Sequence, residues 1–156
     1  MINKKLALQL LIKWAEASEK YWYSVPGRGD LGCYGTGYNS WGVQTNQKYI
    51  GAMATLGVNG HPRALERALA ALRFSLASHV SGDFHCTDGT SWGHTWISSL
   101  GIERMMHGVY LLMPYMTDED KTALRRVLTS EAHWPAHNTM REAAHGVYSP
   151  FCRMVR

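Results

Sequence analysis

The stretch SWGVQTNQKYIGAMATLGVNGHPRALERALAALRFSLAS, residues 40–78, decides the fold. Val43 to Leu56 has no interior proline and reads as one helix. Gly57-Val58-Asn59-Gly60 stops it. His61-Pro62 starts another, with proline in the first turn, where its missing N–H costs nothing. That helix runs to about Ser78, and Leu65, Leu69, Leu72 and Leu76 mark one face at three-to-four spacing. Two such helices joined by a short reversal form an antiparallel hairpin.

On the N-terminal side, Leu6, Leu10, Ile12, Trp14, Ala17 and Tyr21 predict a first helix over 3–23. Lys4, Lys5 and the following leucines have some character of a signal peptide. Gln9 and Lys13 interrupt the run and no small-residue cleavage site follows, so the segment reads as a mature helix, with any signal upstream or absent. Pro26-Gly27-Arg28-Gly29-Asp30 breaks it, and residues 27–42 form a loop rich in glycine and aromatics around Tyr34, Tyr38 and Asn39.

On the C-terminal side, Gly82-Asp83 ends the hairpin and residues 84–93 form a second loop. A fourth helix is expected over 95–113, closed by Pro114. Thr117 caps a fifth, with Asp118, Glu119 and Asp120 in its first turn, and Leu124, Val127 and Leu128 inward. After Trp134-Pro135 the pattern decays, and 136–156 reads as a poorly defined tail. No sustained period-two run occurs, so no strand is expected. The sum is one all-α domain, 1–156, built from antiparallel helical hairpins.

Composition agrees. The chain has 156 residues, 46% hydrophobic and 18% charged, which suits one globular domain. No apolar run reaches the roughly 18 residues of a membrane span, so no membrane partner is expected. The net charge of +4 favours an acidic partner, but Lys and Arg are scattered, so nucleic acid is not expected. Cys33, Cys86 and Cys152 form no CxxC pair, and their odd number argues against a closed disulfide framework; one bridge with a free thiol stays open.

Ser40-Trp41-Gly42 has a counterpart in Ser91-Trp92-Gly93. Each tripeptide ends a polar, glycine-bearing loop and precedes a long helix, a reversal and a second helix starting near an Ala-Leu pair (Ala64-Leu65, Ala123-Leu124). This layout predicts a helical-hairpin repeat. Stacked repeats would place both turns on one rim, gathering Tyr38, Asn39, Trp41, Gln44 and Asn46 beside Trp92, His94, Trp96 and Glu103. Indole faces stack on sugar rings, and amide, imidazole and guanidinium groups bind hydroxyls and carboxylates.

The stretch Asp88-Gly89-Thr90-Ser91-Trp92-Gly93-His94-Thr95, followed by Gly101, Gly108 and Leu111-Leu112-Met113-Pro114, resembles the (α/α) toroid of polysaccharide lyases. The likeness is to the heparinase II/III-like group and the chondroitin and hyaluronate lyases, and it covers about residues 37–134. It implies a polysaccharide lyase-like domain or fragment, a partial toroid, that acts on or binds acidic, uronate-containing polysaccharide in a periplasmic or secreted setting. In that family the histidine at the His94 position belongs to the active site, and the turn at Asn39 and Trp41 resembles its aromatic substrate-binding turn. Glu103 stands where those lyases usually place a catalytic tyrosine. A complete toroid needs several more hairpins, so self-association into a homo-oligomer is one way to complete the helical core.

Lyase chemistry needs a carboxylate neutraliser, a base and an acid for the leaving oxygen. The resemblance makes His94 the base or acid. Asn39, Gln44 or Asn46 would hold the carboxylate, Tyr38 or Tyr34 would supply the phenol, and Trp41, Trp92 and Arg104 would bind substrate. Structural roles compete with each of these. His94 can cap the fourth helix, Trp41 and Trp92 can be packing anchors, Asn46 can satisfy backbone, and Glu103 can pair with Arg104. Glu103 could instead be a general acid with Asp88 or Asp83 as second carboxylate, giving a glycoside hydrolase on the same toroid. A non-catalytic helical module that binds sugar or packs on a partner is the other alternative. His85, Cys86, Asp88 and His94 fit no common zinc spacing, so neither a metal nor another cofactor is expected.

Overall fold

A computed structural model describes residues 3–144, with side chains through residue 134. Among them are five α-helices and one two-stranded ribbon. The α1 helix, Lys4–Ser18, starts at Asn3, whose side chain accepts from the Leu6 amide at 2.9 Å. It ends five residues before the predicted end at 23. After a 3-10 turn, Glu19–Tyr21, the chain enters β1, Trp22–Ser24, antiparallel to β2, Gly32–Tyr34. No strand was expected because three-residue strands are too short to show a period-two pattern. The Pro26–Asp30 segment is the turn of this ribbon, closed by Arg28, which donates twice to the Asp30 carboxylate at 3.0 Å.

The central helix is α2, Trp41–Val58, which packs against α1, α3 and α4. The hairpin partner α3, Pro62–Ala77, begins at the proline as predicted. Gly57 lies so close to Leu65 that an added Cβ would stand 2.7 Å from its Cα. The α4 helix, Trp96–Leu112, packs on α2 through glycine: a Cβ on Gly108 would stand 2.9 Å from Gly51 Cα. The backbones touch there because neither residue has a side chain. The α5 helix, Asp118–Ala144, packs on α3, and Arg73 on α3 donates twice to Asp120 at 2.8 and 2.9 Å. Thr117 caps α5 as expected, exchanging hydrogen bonds with Asp120. The second helix pair is thus held chiefly through the first, α4 on α2 and α5 on α3.

Residues 136–144, expected as a poorly defined tail with at most a short turn over 140–144, continue α5; residues 145–156 lie outside the described residues. Among the described residues no helix is long and apolar enough to cross a membrane. Cys33 and Cys86 are buried free thiols, and burial, then the neighbouring Cys86, pushes the Cys33 thiol up to about 12. Cys152 lies outside the described residues.

Candidate functional site

The two glycine-bearing loops are sewn to each other. The Thr87 amide donates to Gly37 O at 3.0 Å, and the Thr87 hydroxyl donates to Thr36 O. Asp88 accepts the Asn39 amide at 3.1 Å, and the Asn39 side chain donates to Ser91 O at 3.0 Å. Burial raises the Asp88 pKa, but hydrogen bonds from Thr90 and the Asn39 amide outweigh it and hold the carboxyl below its ordinary range. The loops thereby fix the position of both Ser-Trp-Gly turns.

The two tripeptides part company at this seam. Trp41 is the first residue of α2 and is 62% exposed. Trp92 is 3% exposed; its Nε1 donates to Ser75 O at 2.8 Å, anchoring the second loop on α3. The residue that begins α4 is Trp96, 56% exposed, and its ring meets Trp41 edge to face at 6.3 Å. The structural counterpart of Trp41 is therefore Trp96, not Trp92.

After Trp92 the chain passes Gly93, with φ +129°, whose missing Cβ would lie 2.5 Å from His79 Nε2. His94 follows with φ +57°, a left-handed conformation that is uncommon without glycine. Thr95, not His94, caps α4, in a capping box with Ser98. The His94 amide donates to Glu131 Oε1. Its Nε2 lies 2.9 Å from Ser130 Oγ, and its ring stacks on Trp134 at 5.9 Å and 7°.

His79 is fully buried behind His94, the rings meeting edge to face at 5.8 Å. Its Nδ1 accepts the Ser81 amide at 3.0 Å, so the proton of the neutral ring sits on Nε2 and is donated to Glu131 at 3.0 Å. His79, His94 and Glu131 bring potential ligand atoms within 4.8 Å of one another. Their hydrogen bonding does not fit a metal. A histidine that ligates through Nε2 normally keeps a proton on Nδ1 and donates it outward. Here a backbone N–H already points at Nδ1 and cannot reverse. The cluster reads as a hydrogen-bonded clamp on His94.

Asn39 and Trp92 line one small crevice with Ser40, Gln47, Gly93 and Thr95. Gln47 Nε2 is buried without a hydrogen-bond partner. Tyr38 is 54% exposed on the first loop. Glu103 and Arg104 lie exposed on α4; the ion pairs among the described residues do not include the two together. Glu103 is seven residues after Trp96, hence on the same helix face, about 10 Å along the axis.

The remaining sequence candidates are in the interior. Asn46 is buried, accepting the Tyr34 amide at 2.9 Å and donating to Ala71 O at 2.9 Å and Ser75 Oγ at 3.0 Å. It ties β2 to α2 and α3 and faces no solvent. Gln44 is buried too. Tyr34 is fully buried, stacked on Tyr49 at 4.3 Å, and burial first, then Glu19, raises its phenol. The exposed phenol on these loops is Tyr38.

The sequence reading did not place His79, Glu131, Ser130 or Trp134 in the site; His79 stood out only as the histidine near the close of the first hairpin, and Trp134 as the end of the helical pattern. Glu131 carried a usable signal, since Leu124, Val127, Leu128 and residue 131 continue one inward stripe, and an inward carboxylate needs partners. Compared with protein-family models, curated proteins and solved structures, the chain gave no match, so the geometry of this seam is what a functional reading rests on.

Proposed function

We propose that the chain is a polysaccharide lyase-like domain, part of an (α/α) toroid, that binds and cleaves uronate-containing polysaccharide along the seam between its two loops. The observation that carries this reading is the exposed Trp41–Trp96 pair, which stands on the two segments that the Asn39 and Asp88 hydrogen bonds join, with His94 two residues before Trp96. The stacking of α4 on α2 and of α5 on α3 supports the toroid, in which like members of successive hairpins lie side by side. Met106 and Tyr110, left exposed along α4, and Met113 just past its end are where a further hairpin or a second copy would continue it.

In this mechanism the indoles stack on sugar rings. The second amide hydrogen of Asn39 binds the uronate carboxylate and acidifies the adjacent C–H. The His94 imidazole takes that proton, its electrons form the new C=C bond, and the glycosidic C–O bond breaks. Tyr38 or Glu103 returns a proton to the leaving oxygen. Arg104 adds positive charge for the acidic chain.

Cleavage of heparan sulfate, chondroitin, hyaluronate or alginate should produce the ultraviolet absorbance of unsaturated uronate ends, and His94→Ala should abolish it. Silence across the panel sinks the lyase reading. Reducing ends without unsaturation would mean hydrolysis. The exposed indole pair also favours a second reading, a non-catalytic sugar-binding module, which predicts binding that depends on Trp41 and Trp96 but is indifferent to His94→Ala.

A further inference from the structure

We infer that Glu131, itself held by the buried His79, is a positioning residue for His94; this rests on the reading of His94 as the working histidine. Three neighbouring residues of α5 grip three different parts of His94. Glu131 takes the backbone amide, Ser130 the ring nitrogen, and Trp134 the ring face. The amide contact matters most, because His94 holds φ +57° and a backbone of that kind persists only when its surroundings over-determine it.

Glu131 can serve as a clamp because it is itself held. His79 donates Nε2–H to the same Oε1 that takes the His94 amide. His79 is fixed in turn by the Ser81 amide on Nδ1 and by the Trp92 ring 4.7 Å away. Gly93 lets the chain pass close enough to the His79 ring to complete the arrangement. An inward position on an amphipathic helix is cheapest to fill with an apolar side chain, and a buried carboxylate is weak support for stability. The arrangement gains geometry from it: one carboxylate connects α5, the segment just past α3 and the segment that leads into α4.

The test is nuclear magnetic resonance of the whole chain with 15N-labelled histidine, on Glu131→Ala and Glu131→Gln. In Glu131→Ala, the His94 ring protons should lose the upfield shift given by the Trp134 face. In Glu131→Gln the carboxamide oxygen still accepts both N–H groups, so the ring should stay stacked. A neutral acceptor is weaker, so the His94 amide proton should move upfield and exchange with solvent about tenfold faster. A role confined to holding α5 would lower the melting temperature of both variants and leave the His94 signals of the folded protein unchanged, which overturns the inference. Should Glu131→Ala fail to fold, unchanged amide exchange in Glu131→Gln overturns it alone. On any polysaccharide the wild type cleaves, Glu131→Ala should lower kcat about a hundredfold with KM within about twofold, and Glu131→Gln should recover most of the loss. If the wild type cleaves nothing, the lyase reading fails while the resonance result still decides the role of Glu131.

Discussion

The tripeptide Ser-Trp-Gly occurs twice, and its two tryptophans end in opposite environments. Trp41 stands in solvent at the start of α2, while Trp92 is a core residue anchored to α3. The glycines differ as well. Gly42 lies inside a helix, against the side chains of Thr36 and Tyr38. Gly93 has positive φ and lies against the imidazole of His79. The helix begins at the tryptophan itself in the first turn. In the second it waits for Thr95, whose capping box with Ser98 sets the start at Trp96. Identical residues therefore took different roles because the cap, not the tripeptide, fixes where the helix starts.

The largest effect that would sharpen this comparison is on stability. Trp92→Ala should cost about 3–5 kcal/mol, as removal of a buried indole does. Trp41→Ala should stay within about 0.5 kcal/mol, as for an exposed position. Urea unfolding of both variants checks this, and equal costs would break the contrast. Gly93→Ala comes next, at about 2–4 kcal/mol, because it adds a Cβ at positive φ against His79. Gly42→Ala should cost less, about 1–2 kcal/mol, since its φ is helical and the Thr36 hydroxyl can rotate away, which leaves only the Tyr38 Cβ at 3.2 Å to give slightly.

The sugar-binding contrast is smaller in energy and opposite in sense. Trp41→Ala should weaken oligosaccharide binding about tenfold by titration calorimetry, the scale of one lost stacking contact.

The smallest effect is pH-dependent and lies in the seam that joins the two turns. The Asp88 carboxyl titrates below its ordinary value in the folded chain. Its contribution is therefore complete above the unfolded pKa and is lost as pH falls through the lowered folded value. Melting temperatures between about pH 5 and pH 3 should fall slightly less steeply in Asp88→Ala than in the wild type. Because Asp88 is exposed, solvent screening keeps the difference small. A steeper fall in the variant would contradict the seam.

Much of the helical layout was legible because it is local. Pro62 at a first turn, Gly57 to Gly60 at a reversal, and Thr117 before three acidic residues act within one turn of the chain. The ribbon of Trp22–Ser24 and Gly32–Tyr34 was not, because three-residue strands leave no period to read. Within the site, His94 was visible through its neighbours in sequence. Its partners were not, since Glu131 lies 37 residues away and His79 reaches that carboxylate across 52.

By itself the sequence determined the order of the helices, the starts at Pro62 and Thr117, and the presence of two aromatic, glycine-bearing loops, since those depend on neighbours within a few residues. Only the tertiary structure decided which tryptophan faces water, that Asn46 and Gln44 serve the interior, and that Glu131 and His79 close on His94. Those outcomes depend on which helix faces pack together, and that is settled by the glycine contact of α2 with α4 and the docking of α5 on α3. Packing of this kind is a property of the whole chain, which no short stretch encodes.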